Sequence, residues 1–237
     1  MVTGASKGIG KAVSLALAEN GVKVVLSSRK KEDLKIVSDT IYDEYDTENF
    51  VVPTDVKEES QVKNLMKKTL DNFNKLDILV NNAGIIRYGD IENYPTEDYR
   101  AVMGTNVDGM FFCTREALPL LKETKGNLIF IGSFDSSVPR SFNPIYAASK
   151  WWTKGFAHSI ESIVGKEGVG VTLINPSEVR TQIQDEDGTA YKKRFSSDEI
   201  VDPEEIARAV IFAVSQSKTT TINEINIFRR DKLGNFF

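Results

Sequence analysis

The chain has 237 residues, enough for one large core, with 41% apolar and 27% charged positions. Its 30 lysines and arginines face 34 acids, and a net charge of −4 argues against nucleic acid or an anionic membrane as the main partner. No apolar run approaches the ~18 residues of a membrane span, no signal peptide is evident, and the single cysteine, Cys113, excludes an internal disulfide, so a cytoplasmic location is expected.

The first residues, Met-Val-Thr-Gly, run straight into the loop Thr3-Gly4-Ala5-Ser6-Lys7-Gly8-Ile9-Gly10. Only Met1 and Val2 precede it, so the first strand is expected to be nearly absent. Glycines at 4, 8 and 10 permit a tight turn and close backbone approach, and the helix that follows offers free N–H groups to a pyrophosphate. The spacing Gly-x-x-x-Gly-x-Gly differs from the commoner dinucleotide fingerprint, and no Gly-Lys-Ser/Thr ending is present, which disfavours a P-loop hydrolase.

Strand-like runs occur at Val22–Leu26, Asn49–Pro53, Leu76–Val80, Gly126–Ile131, Val169–Ile174 and Glu224–Phe228. Helical patterns lie between them, near 8–20, 31–46, 58–74, 96–122, 144–166 and 203–216. This alternation predicts an α/β fold of Rossmann type: a doubly wound parallel sheet in three α/β/α layers, forming one domain over 1–237. A long irregular stretch, roughly Asn175–Val201, reads as a binding loop or lid, with the substrate loop at about 182–200.

The second strand leads into Ser28-Arg29. An acid there would hold a ribose 2′-hydroxyl, whereas an arginine accommodates a 2′-phosphate. With Lys7 in the glycine loop, two cations can converge on that phosphate, which predicts NADP(H) over NAD(H). Ordinary surface charges are the alternative reading of the same pair.

Tyr146 and Lys150 stand four residues apart, on one face of a predicted helix, with Ser133 upstream. A phenol titrates near ~10 and is a poor acid-base catalyst at neutral pH, but a neighbouring cation favours phenolate and lowers that value. A serine hydroxyl could then bond a substrate oxygen whose charge changes during reaction. The spacing alone is common on exposed helices, so it points to catalysis only in company.

That company is ordered. Thr3–Gly10, Asp55-Val56, Asn81-Asn82-Ala83-Gly84, Asn106, Ser133, Tyr146/Lys150 and Pro176…Thr181 follow one another along essentially the whole chain. Together they resemble the short-chain dehydrogenase/reductase family. The resemblance implies that Gly4, Ser6, Lys7, Gly8, Ile9 and Gly10, with Ser28 and Arg29, hold the cofactor phosphates, and that Asp55 and Val56 contact the adenine. It implies that Asn82, Ala83 and Gly84 steady the sheet and pass beside the cofactor. Tyr146 would be the acid in carbonyl reduction and the base in alcohol oxidation. Lys150 would bind the nicotinamide ribose, Ser133 the substrate oxygen, and Asn106 a water relaying protons through Lys150. Pro176, Val179 and Thr181 would secure the carboxamide. The family also implies dimers or tetramers built on the helices near 96–122 and 144–166.

Some positions stand apart from that pattern. Ser177 replaces the glycine usual after Pro176, and Trp151-Trp152 follow Lys150 where small residues are usual. The tryptophans read as core or subunit-interface packing, with a pocket wall as the alternative. His158, the sole histidine, reads as a packing residue, because a metal site needs several ligands and none is expected. Cys113 reads as a core thiol.

The tail from Asp202 to Ile227 resembles NADP-dependent 3-hydroxy acid dehydrogenases and broad carbonyl reductases. The expected substrate is therefore a small-molecule ketone, 3-oxo acid or secondary alcohol. A 3-oxoacyl thioester reductase of lipid synthesis is the alternative, and a non-catalytic cofactor sensor is a more remote one. The expected lid, Gln182–Ser197, carries Tyr191, Lys192, Lys193, Arg194 and Phe195, a basic cluster that could attract an anionic substrate or be a solvated charge run.

Overall fold

A computed structural model of the chain describes residues 1–181 and 200–230. Seven parallel strands form one sheet in the order β3-β2-β1-β4-β5-β6-β7. They are β1 (Val2–Thr3), β2 (Val24–Ser28), β3 (Asn49–Pro53), β4 (Ile78–Asn81), β5 (Asn127–Ile131), β6 (Gly170–Pro176) and β7 (Glu224–Ile227). The order reverses between β1 and β4, and such a switch point is where ligands sit in open α/β sheets.

The helices cover both faces, as the alternation predicts. On one face α1 (Gly8–Glu19), α2 (Lys31–Tyr45) and α7 (Pro203–Val214) bury Val13, Leu17, Leu34, Ile41, Ile206 and Val210 in one cluster with Val2, Leu26, Ile129 and Ile174 of the sheet. On the other, α3 (Glu59–Phe73), α5 (Gly109–Thr124) and α6 (Pro144–Val164) bury Leu65, Leu121 and Ala157 against Leu79, Leu128 and Phe130. Two apolar layers on one sheet give the α/β/α sandwich.

The first strand is short, as expected, and is paired on both sides. Val2 pairs with Leu26 on one side and Val80 on the other, and the Met1 carbonyl accepts from the Val80 amide at 2.9 Å. The second strand begins later than its apolar run. The Val22 amide donates to Leu17 O at 3.0 Å in the turn after α1, and pairing continues instead through the polar Ser27 and Ser28. The sixth strand likewise runs on through Asn175 and Pro176, which pair with Asn226 and Ile227.

The helix expected over 96–122 is divided. It runs as α4 (Thr96–Met103), a π-helical turn (Gly104–Asp108) and α5. A π turn inserts a residue into the helical ladder, and such turns are frequent at functional sites. Periodicity misses it because the chain continues in nearly the same direction. Residues 182–199 lie outside the described part, so the expected lid and its basic cluster lie there as well.

Candidate active site

The residues singled out in the sequence gather at the carboxyl ends of the strands. The glycine loop joins β1 to α1. Gly8 adopts φ +54°, a left-handed conformation that favours glycine. A side chain at Gly10 would collide with the Gly4 carbonyl, so the loop must fold tightly there. Lys7 makes no side-chain capping bond to α1, whose first-turn N–H groups have no partner within the helix. Ser6 is half-buried and Lys7 exposed in the same turn.

The loop is fastened to the end of β4. The Asn82 side-chain amide donates to Thr3 O at 2.8 Å and Gly4 O at 3.2 Å, while the Asn82 and Ala83 amides both donate to the Thr3 hydroxyl at 3.0 Å. At the end of β2 the Ser28 hydroxyl oxygen is buried with no hydrogen-bond partner among the described residues, and Arg29 beside it is exposed. After β3, Asp55 is engaged locally. Its carboxylate accepts from the Lys57 amide at 3.1 Å and lies 3.6 Å from Lys57 Nζ. Val56 is buried against Gly109, where a methyl group would have no room.

Asn106 sits in the π turn and is buried. Its Oδ1 accepts from the Ile85 amide at 2.8 Å, and its Nδ2 donates to Ile85 O and the Ser149 hydroxyl, both at 3.0 Å. Both amide hydrogens are thereby committed. A methyl at Gly84 would stand 3.4 Å from Asn106 Oδ1 and 3.8 Å from Lys150 Nζ, so these three positions converge.

Tyr146 and Lys150 lie on α6, both buried. The Lys150 ammonium is 5.6 Å from the Tyr146 ring centroid and donates to Ile131 O at 2.9 Å. Burial lowers its pKa to about 8, against a smaller opposing pull from the Asp135 carboxylate. A lysine pressed towards neutrality beside a phenol is suited to proton exchange. Ser133 follows β5, two residues past that carbonyl. Its hydroxyl oxygen accepts from the Asp135 amide at 3.1 Å, and among the described residues no acceptor takes its proton. Asp135 is held by Arg140 at 2.6 Å.

Pro176 ends β6. Val179 forms an isolated bridge with Val201, and a side chain at Gly8 would approach the Thr181 methyl group at 3.0 Å. The loop after β6 thus closes onto the glycine loop across the switch point. Ser177 takes part in this edge, its hydroxyl accepting from the Arg229 amide at 3.1 Å.

The remaining positions fall outside this cluster. Cys113 is buried in the core, and burial pushes its thiol up to about 12. Trp152 stacks on Phe156 at 4.5 Å, whereas Trp151 is half exposed. His158 is more than packing: its Nε2 meets Glu224 Oε2 at 3.0 Å. Sequence reasoning missed Asn175, whose amide oxygen accepts from the Ser133 amide at 3.3 Å. A polar residue inside an apolar strand just before Pro176 was the only signal. Among the described residues no group of histidine, cysteine and acidic side chains could hold a metal ion, and no helix is long and apolar enough to cross a membrane.

Comparison with known proteins agrees with the fold. A family model described as short chain dehydrogenase matches residues 1–192. An uncharacterized oxidoreductase of Staphylococcus aureus is 34% identical over 228 residues, 96% of this chain and 95% of its own. Among solved structures, an alcohol dehydrogenase from the archaeon Thermococcus sibiricus, complexed with 5-hydroxy-NADP, is 25% identical with a TM-score of 0.87, covering 95% of this chain and 94% of that one. A 3-ketoacyl-(acyl-carrier-protein) reductase from Brucella melitensis, complexed with NADH, is 25% identical with a TM-score of 0.84, covering 96% and 95%.

Proposed function

The chain belongs to the short-chain dehydrogenase/reductase family and is an oxidoreductase acting on CH–OH groups, and on that premise we propose that it interconverts a ketone or 3-oxo acid and the matching secondary alcohol with NADP(H). The observation that carries this reading is the buried Tyr146/Lys150 pair, with the lysine pKa brought to about 8 by burial.

The residues present fit the cofactor. A pyrophosphate suits the uncapped start of α1 and the tight glycine loop that precedes it. The unpartnered Ser28 hydroxyl and exposed Arg29 suit a ribose 2′-phosphate, with Lys7 as the second cation. Val56 and Asp55 would border the adenine, Ala83 and Gly84 the neighbouring ribose, and Pro176, Val179 and Thr181 the carboxamide. Relatives of the same fold are found with NADP-type and NADH cofactors alike, so the preference rests on Ser28, Lys7 and Arg29.

Bound NADP(H) supplies or accepts the hydride at the substrate carbon. The chain's residues handle the oxygen. In reduction, Tyr146 gives its phenolic proton to the carbonyl oxygen as that atom gains negative charge, and Ser133 donates a second hydrogen bond to it. Lys150 stabilises the resulting phenolate by its charge. Asn106 lies beside the lysine, and its Oδ1, which accepts one bond from the Ile85 amide, retains a lone pair for a relay water. Oxidation of the alcohol runs through the same groups in reverse.

A panel of ketones, 3-oxo acids and a 3-oxoacyl thioester, followed by loss of NADPH absorbance, tests the proposal. Turnover of ketones or 3-oxo acids is expected. Reduction confined to the thioester would favour the lipid-synthesis reading, which the likeness to a 3-ketoacyl reductase keeps in view. No turnover with any carbonyl would reject the activity.

A further inference from the structure

Behind Ser133 lies a hydrogen-bonded hub that the catalytic reading does not use. Glu224 opens β7 at the edge of the sheet. Its Oε1 accepts from Asn175 Nδ2 and from Lys154 Nζ, each at 2.9 Å, and its Oε2 meets His158 Nε2 at 3.0 Å. Burial acts to raise the pKa of this carboxyl, but the bonds from Lys154 and His158 outweigh it and hold the group below its ordinary value. The Glu224 carboxyl is therefore ionised at neutral pH and pairs with the Lys154 ammonium.

Asn175 spends its second amide hydrogen on Asn226 Oδ1 at 3.0 Å. With both hydrogens directed to oxygens on β7, Oδ1 must point the other way. There it accepts from the Ser133 amide at 3.3 Å and the Ser136 hydroxyl at 3.2 Å. The opposite orientation of the amide would set an NH2 group against the Ser133 N–H, which can only donate, so the assignment is fixed by the partners. A side chain at Gly132 would collide with Asn175 Oδ1, which leaves little play between this amide and the chain leading into Ser133. Lys154 adds a third tie, to the Ser137 hydroxyl at 3.3 Å. The turn that carries Ser133 is thus held at 133, 136 and 137, and every tie leads to Glu224.

We propose that Asn175, oriented by Glu224, is a positioning residue that sets the Ser133 hydroxyl against the substrate oxygen. This deepens the proposed hydride-transfer activity and rests on it for its kinetic consequence. The Ser133 hydroxyl accepts from the Asp135 amide, so the direction of its own proton follows from where the backbone of the turn is placed. A small displacement of a positioned donor lowers the rate far more than it lowers binding.

The test uses Asn175→Leu, which removes both ends of the tie at similar volume, and Glu224→Leu as a second variant at the sheet edge should the first fold poorly. Glu224→Gln, which keeps an oxygen for Asn175, is the conservative counterpart. Ethyl acetoacetate with NADPH is the kinetic probe, and amide hydrogen exchange over 133–137 reports the hold on the turn without any turnover. The expected result is faster exchange at 133–137 in both leucine variants and a kcat about 10- to 100-fold lower, with KM and the NADPH Kd changed less than threefold and kcat largely retained in Glu224→Gln. Adding Ser133→Ala to Asn175→Leu should cost no more than Ser133→Ala alone, because both changes act on one donor. Unchanged exchange, or full additivity of the two losses, overturns the proposal. If the wild type reduces no carbonyl, the proposed activity fails, and exchange at 133–137 still decides whether Asn175 holds Ser133.

Discussion

Lys150 keeps its ammonium 5.6 Å from the centroid of the Tyr146 ring while donating to the Ile131 carbonyl at 2.9 Å. The carbonyl precedes Ser133 by two residues, so one lysine contact joins the helix bearing the phenol to the strand that leads into the serine. The cation is buried, and its pull on the phenol is screened little by water.

From this pair, Tyr146→Phe should fold and bind NADPH as the wild type does, since it loses one oxygen and little packing. Turnover should fall by about 100- to 10,000-fold, the usual contribution of a positioned acid-base group. Steady-state kinetics beside NADPH fluorescence titration checks this, and near-normal kcat would remove Tyr146 from the mechanism.

Lys150 also makes stability depend on pH. Its pKa is about 8 in the folded chain against 10.5 for the ordinary group. Between those values the unfolded chain binds the proton and the folded chain does not, so raising the pH favours folding. Relative to Lys150→Met, the wild type should gain of the order of 3 kcal/mol on passing from pH 8 to 10.5. Urea unfolding of the apo proteins at a series of pH values measures it. Parallel curves for the two proteins would show that Lys150 is not titrating there.

Arg29 tests the cofactor preference. Its loss should weaken NADPH about tenfold or more and leave NADH nearly unchanged, because a charge-assisted bond to the 2′-phosphate carries roughly 1.5–3 kcal/mol. Binding titrations of Arg29→Ala with both cofactors decide the matter, and equal losses for the two would point to a general surface effect.

Gly10→Ala should be damaging although it adds one methyl. That carbon would collide with the Gly4 carbonyl and stand 2.5 Å from Asn82 Nδ2, the two groups that close the loop. A cost of about 1–3 kcal/mol or more is expected from overpacking, with loss of NADPH binding. The urea midpoint and cofactor titration read both effects, and wild-type values in the variant would mean that the loop is looser than described.

Trp151 is 50% exposed and Phe111 39% exposed, on the two helices where the family places its subunit contacts. Exposed side chains of this kind are common on monomers when they stand singly, so the expectation rests on their place on those two helices. The protein should run as a dimer or tetramer by light scattering, and Trp151→Asp should shift it to smaller species. A monomeric wild type contradicts this.

The sequence by itself determined the α/β alternation, because apolar runs of strand length and helical periodicity are local properties. It also singled out Gly4, Gly8, Gly10, Ser133, Tyr146 and Lys150 as candidate site residues, since their order along the chain resembles a family pattern that needs no knowledge of distant partners. Only the tertiary structure decided the rest. The two-residue β1 is a strand because Leu26 and Val80 flank Val2, and Ser27 and Ser28 belong to β2 because β1 and β3 pair with them. The Asn106 side chain is held by Ile85, 21 positions earlier, and the orientation of Asn175 depends on Glu224, 49 positions later. Burial, too, is a property of the folded chain: it turns Lys150 from an ordinary surface cation into one titrating near 8. Such partners are far apart along the chain, and only folding brings their hydrogen-bonding groups and their desolvation into play.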